Sequence, residues 1–128
     1  DMTKANITPE KEIKAGDTSA VFTFENKTGK TLDLHIFVES VEMKKDGEWK
    51  EIPFDQMLDD VDFVYPSKLY PGEKIDLEVL FRQRDVYSEA VPMPVEEGSY
   101  RITVSYKTKG YRTVKEGKKT VEFTVMPA

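Results

Sequence analysis

The strongest constraint on this chain is an alternation that starts just after a glycine. Glu97-Gly98-Ser99 leads into Tyr100. From there Tyr100, Ile102, Val104 and Tyr106 share one parity, and Arg101, Thr103, Ser105 and Lys107 share the other. A period of two sends these sets to opposite faces of a strand, one buried and one solvated. A tyrosine at the start of such a strand, just past a glycine turn, is the sequence form of a tyrosine corner. Its ring packs in the core and its hydroxyl bonds back to the connecting backbone. Upstream, Leu69-Tyr70-Pro71-Gly72-Glu73 supplies a Pro-Gly turn that launches a second alternating run from Lys74 to Phe81.

The rest of the chain reads in the same way. Ile7 to Ala15 is expected to be a first edge strand, with Pro9 where a lost backbone donor is tolerated. Ser19 to Lys27 is a strand with Phe22 and Phe24 on one face, and Asn26 to Lys30 is a turn. Thr31 to Lys44 is the longest strand region. Its alternation reverses after Val38, because Val41 and Met43 have the opposite parity. One extra residue near Glu39-Ser40 would cause that reversal, so a bulge is expected there. Asp46-Gly47 marks a hairpin turn, returning through Trp49 and Ile52. Phe54 to Ser67 breaks the pattern and is expected to hold a helical turn or an extra edge strand. Gln83 to Glu97, with Pro92 and Pro94, reads as a long loop. Lys107 to Lys119 reads as a polar hairpin before a last strand, Thr120 to Met126. About seven to eight short strands separated by turns predict an all-β antiparallel sandwich with Greek-key connections. A small antiparallel barrel is the second choice.

At 128 residues the chain is expected to be one domain, 1–128, long enough for a hydrophobic core. It starts at Asp1 rather than Met, as a trimmed mature domain would. There is no cysteine, which removes disulfides, thiolate metal sites and cysteine nucleophiles together. A net charge of −5 argues against general nucleic-acid binding. No apolar run reaches transmembrane length.

Phe-Thr-Phe-Glu-Asn-Lys-Thr at 22–28, Asp-Gly-Glu-Trp-Lys-Glu-Ile-Pro at 46–53, Leu-Tyr-Pro-Gly-Glu at 69–73 and Glu-Gly-Ser-Tyr-Arg-Ile at 97–102 follow one another. In that order they resemble the bacterial immunoglobulin-like domains of secreted and lipid-anchored envelope proteins, over roughly residues 18–126. The resemblance implies an immunoglobulin-like sandwich and a setting outside the cell or on its surface. It implies a non-catalytic interaction or spacer role, with no cofactor and no catalytic residues. The partner would be a protein or an anionic envelope polymer. Asn-Lys-Thr-Gly-Lys-Thr-Leu-Asp-Leu at 26–34, with the later Pro-Gly-Glu turn, is similar to the intracellular proteinase inhibitors of bacilli. That second resemblance implies an inhibitor offering an extended loop, Gln83–Glu97, to a protease cleft.

Asp55, Asp59, Asp60 and Asp62 could offer oxygen ligands to calcium, although their spacing matches no EF-hand loop. The preferred reading is a solvated acidic loop. Lys107, Lys109, Arg112, Lys115, Lys118 and Lys119 surround Tyr111, with Glu116 the one acid among them. They could attract an anionic polymer or an acidic partner. The plainer reading is a charged edge that discourages strand pairing. His35 is the sole histidine and reads as a surface residue, too isolated for zinc or a hydrolytic triad. Phe37 and Leu80 fall on outward parity and either form an apolar patch or lie under loops. Phe54, Phe63, Tyr65, Tyr70 and Tyr87 stand in or beside irregular segments and read as core plugs or loop anchors before sugar platforms. Asn26-Lys27-Thr28 matches a glycosylation sequon but reads as a turn.

Overall fold

A computed structural model describes residues 2–57, 67–87, 89–110 and 112–128. The strands are β1 (Ala5–Pro9), β2 (Ile13–Lys14), β3 (Ser19–Asn26), β4 (Leu32–Asp33), β5 (Phe37–Lys45), β6 (Glu48–Glu51), β7 (Asp55–Met57), β8 (Lys68–Leu69), β9 (Lys74–Leu80), β10 (Arg82–Arg84), β11 (Ala90–Pro92), β12 (Gly98–Lys107) and β13 (Glu116–Met126). One sheet has the order β1-β3-β9-β7, and the facing sheet has the order β2-β13-β12-β5-β6. Two small ladders, β4-β8 and β10-β11, sit outside them. The arrangement is an immunoglobulin-like sandwich.

The alternations fill the space between the sheets. Phe22, Phe24 and Val79 come from one sheet, and Tyr100, Ile102, Val104 and Val125 from the other, all fully buried. Aromatic rings tie the layers together. Phe22 meets Phe123 edge-on at 5.1 Å between centroids, and Phe24 meets Tyr106 at 5.3 Å. Each fully buried Phe contributes about 2–3 kcal/mol of transfer free energy. Tyr100 forms the tyrosine corner, its hydroxyl donating to the Glu96 carbonyl at 2.7 Å. Burial pushes that hydroxyl's pKa up, so it stays protonated and able to donate. The bulge also falls where the parity reversal puts it. Thr103 pairs with Ser40 but Val104 pairs with Val38, leaving Glu39 as the extra residue. Asp46 and Gly47, with φ of 51° and 78°, make the two-residue turn between β5 and β6.

Four expectations change. The Ile7–Ala15 strand is two strands on different sheets, since β1 pairs antiparallel with β3 and β2 pairs parallel with β13. Glu10, Lys11 and Glu12 between them are exposed, so nothing apolar holds the chain to one sheet as it crosses the sandwich edge. The Thr31–Lys44 region breaks between β4 and β5, where the Asp33 carboxylate accepts the His35 N–H at 2.9 Å and bends the chain. The Gln83–Glu97 loop is largely the β10–β11 hairpin, with Arg82 opposite Pro92 and Arg84 opposite Ala90. The last strand begins at Glu116 rather than Thr120, leaving Thr108–Lys115 as the connection from β12. Of the irregular Phe54–Ser67 segment, Asp55–Met57 is an edge strand on β9, and residues 58–66 lie outside the described part.

Two local devices hold the fold in register. Asn26 is fully buried and its amide donates to the carbonyls of Lys30 (2.7 Å) and Leu69 (3.0 Å). Its Oδ1 accepts from the Thr28 N–H (3.1 Å) and hydroxyl (2.7 Å). Gly117 lies opposite Tyr106 in the β12–β13 ladder. A Cβ there would come 2.8 Å from the Tyr106 ring and 3.0 Å from the Met2 carbonyl oxygen, which accepts the Tyr106 hydroxyl. The glycine makes room for the ring that pins the first residues of the chain.

Candidate functional site

Strand direction gives the sandwich two poles. β12 runs from Gly98, opposite Val125, to Lys107, opposite Glu116. β9 runs from Lys74, opposite Glu25, to Leu80, opposite Ser19. The β10–β11 hairpin therefore leaves the pole where β9 ends and β12 begins, and the Thr108–Lys115 turn lies at the other.

The hairpin is tied at its base and at its tip. Phe81, buried beneath it, donates its N–H to the Thr18 carbonyl and accepts from the Met93 N–H, each near 2.9 Å. Gly16 donates to Val95, and Val95 donates to Asp17. The Asp55 carboxylate, on β7, accepts from Arg82 Nε at 2.6 Å and lies 3.2 Å from Arg84 Nη2. At the tip, Asp85 Oδ1 accepts the N–H groups of Tyr87 (2.8 Å) and Glu89 (2.9 Å). Between those fixed points Val86 and Tyr87 stand in solvent, 91% and 83% exposed. Val91 and Met93 on the return arm are also exposed.

The other pole is built by short ladders. Leu32 pairs with Leu69 and bridges to Thr108, so three remote segments converge over two buried leucines. Asp33 and Lys68 form the next pair outward. The Asp33 carboxylate accepts His35 N–H and faces Lys109 Nζ at 3.8 Å. Desolvation opposes its ionisation, but the His35 hydrogen bonds and the Lys109 charge outweigh it and hold its pKa below the usual carboxylate value. Lys109 Nζ also donates to Ser67 Oγ at 3.3 Å.

The expected basic cluster is not one patch. Lys118 and Lys119 point to opposite faces of β13. Lys118 pairs with Glu39 at 2.9 Å, and Lys119 donates to the Thr3 carbonyl at 3.3 Å. Lys107 and Lys109 lie towards the turn pole, Arg112 and Lys115 are exposed in the turn, and Tyr111 is outside the described residues. Of the calcium candidates, Asp55 is committed to two guanidinium groups, and Asp59, Asp60 and Asp62 lie outside the described residues. Among the described residues no group of three or more His, Cys, Asp or Glu could hold a metal. His35 is partly exposed. It has Nδ1 2.9 Å from Asp33 Oδ1 and its ring stacked on Phe37, which is 47% exposed. Leu80 is half-buried and Phe54 packs against the core. Tyr70 and Tyr87 are exposed rather than plugs, and Phe63 and Tyr65 lie outside the described residues. The sequon asparagine is sealed in the core with both amide hydrogens used, so the folded domain presents no acceptor there.

A family model described as a bacterial Ig-like domain matches residues 1–124. The chain belongs to that family. Ig-like domains of this kind are generally non-catalytic binding or spacer modules and often occur on extracellular proteins. No helix among the described residues is long and apolar enough to cross a membrane. This Ig-like domain is also similar to the solved ASH / PapD-like domain of human CEP192 (PapD-like domain 7). The two share 13% identity over 98% of this chain and 84% of that one, with a TM-score of 0.38. No curated protein matches the Ig-like domain.

Proposed function

We propose that this domain is an extracytoplasmic binding module of a bacterial envelope protein, secreted or anchored at the surface, and that it docks a protein partner on the β10–β11 hairpin. The observation that carries the reading is the exposure of Val86 and Tyr87 on a hairpin fixed at base and tip. Adjacent aromatic and branched aliphatic side chains held out in water are the material of an interface core. Because Asp55 and the Gly16–Thr18 backbone already hold the hairpin, little ordering entropy is left to lose on binding. The inhibitor reading has less support. The residues that the hairpin exposes most, Val86 and Tyr87, sit in a tight turn closed on Asp85 rather than in the extended segment that a protease cleft takes.

The test is a photoreactive side chain at position 87 of the parent protein in its bacterial host. A discrete crosslinked protein is expected from position 87, lost on Val86→Asp and not obtained from position 49. Absence of such a product removes the hairpin as the contact. Protection of the parent protein from protease added to intact cells would overturn the extracytoplasmic assignment. Stoichiometric inhibition of a serine protease by the isolated domain, abolished by Val86→Asp, would return the inhibitor reading.

A further inference from the structure

The turn pole carries a groove that the hairpin reading does not use. It has a volume of about 630 Å³ and is walled by Lys68, Tyr70, Lys107, Thr108 and Lys109, with Asp33 its single carboxylate among the described residues. Its charge balance runs against that of the whole domain, which carries a net −5. Among the described residues three ammonium groups face one carboxylate, and that carboxylate is already engaged by His35 and Lys109. Among the described residues, no carboxylate within ion-pair distance of Lys68 or Lys107 is found. Lys109 is pre-positioned by Ser67 and Asp33, whereas Lys68 and Lys107 are exposed at its rim. Tyr70 adds a flat ring, 48% exposed.

Lys107 also walls a second hollow of about 460 Å³, lined by Phe37, which stacks on His35, and by Lys118. Glu39 and Glu116 balance the charge there. The second hollow therefore adds an aromatic surface rather than further positive charge. Two hollows that share Lys107 as a wall suit an extended ligand better than a compact one. Lysines recognise phosphate or carboxylate as point charges, without the bidentate geometry of arginine. An exposed tyrosine offers an apolar face with a polar tip, which suits the mixed surface of a sugar ring.

We propose that this groove binds an anionic saccharide polymer, its charges met by Lys68, Lys107 and Lys109 and a sugar face packed on Tyr70. A single-stranded nucleic acid is the less favoured occupant. Among the described residues Tyr70 and Phe37 are the exposed phenyl rings of the two hollows, and they stand apart rather than as a run of stacking platforms.

The test is an amide NMR titration of the domain with phosphomannan, polygalacturonate, neutral dextran and an oligo-dT strand. Both polyanions are expected to shift signals of Lys68, Tyr70 and Lys107–Gly110, with weaker binding as salt rises from about 0.05 M to about 0.5 M. Binding of only one polyanion identifies the acidic group as phosphate or carboxylate and also supports the proposal. Lys68→Gln with Lys107→Gln should weaken binding about tenfold, because two exposed charges are lost from a screened site. Tyr70→Ala should weaken polymer binding while leaving the weak response to inorganic phosphate unchanged. All three side chains are exposed, and the dispersed signals of Ile102 and Val104 report whether each variant folds. Equal binding of dextran, tighter binding of oligo-dT, no shift with either polyanion, or an affinity unmoved by the double substitution overturns the proposal. Val86→Asp should leave this binding intact, so failure at the hairpin and failure here are separable.

Discussion

Replacing Asn26 should destabilise the domain more than any exposed substitution. Its side chain makes four hydrogen bonds, two donated and two accepted, in a fully buried position. At about 1 kcal/mol net for each neutral bond, Asn26→Ala should cost about 4 kcal/mol, more if Thr28 N–H finds no replacement partner. Urea unfolding followed by the fluorescence of Trp49, the single tryptophan, reads this directly. With an m-value of about 2 kcal/mol/M, the midpoint should fall by about 2 M. Asn26→Asp is the sharper test. The new oxygen would face the Lys30 and Leu69 carbonyls, so burial and repulsion would raise the carboxyl pKa in the folded state. The folded state then binds more protons than the unfolded one above the unfolded value of about 4, and stability relative to the parent falls as pH rises. The deficit should therefore be smallest below about pH 4 and grow by about 1.4 kcal/mol per unit of pKa difference before levelling off. A loss under about 1 kcal/mol for Asn26→Ala, or a deficit that shrinks as pH rises, would refute this account of the core.

Gly117→Val should destabilise by about 2–3 kcal/mol through overpacking against Tyr106, and Tyr106→Leu in the same chain should recover part of the loss in a thermal melt. Tyr100→Phe should cost about 1 kcal/mol in urea with an unchanged m-value, since it deletes only the bond to Glu96. Asp33 and Glu42 are held below their ordinary pKa values. For Asp33, desolvation opposes the shift but the bonds from His35 outweigh it; for Glu42 the Arg101 bond leads. Depressed carboxyl pKa values stabilise above the unfolded value and lose that contribution as pH falls through the folded one. Asp33→Asn should therefore flatten the acid limb of the stability curve, and an unchanged limb would refute the assignment.

What could be read from residues alone was what depends on near neighbours. Tyr100 after Gly98 announced its corner, and the parity reversal between Val38 and Val41 located the bulge at Glu39, because alternation is a local property. The β10–β11 hairpin escaped notice because Arg82-Gln83-Arg84 has no apolar alternation and its hydrophobic residues face water. The split between β1 and β2 left no mark, since both halves keep isoleucines on odd positions. The turn-pole groove was only partly visible. Lys107 and Lys109 stood in a basic run, but Lys68 and Tyr70 join them through the pairing of Leu32 with Leu69, which has no local signal.

The parallel pairing of β2 with β13 has a mechanical consequence. β1 starts at the turn pole, where Ala5 lies opposite Asn26, and β13 ends at the hairpin pole, where Val125 lies opposite both Gly98 and Ile13. Tension applied through the two ends of the chain would pull the first strands and the last in opposite directions along their own axes. The β1–β3 and β2–β13 bonds would then be loaded together, in shear, rather than peeled one at a time. A domain strung between a surface and a partner would resist stretching by having to break those bonds at once.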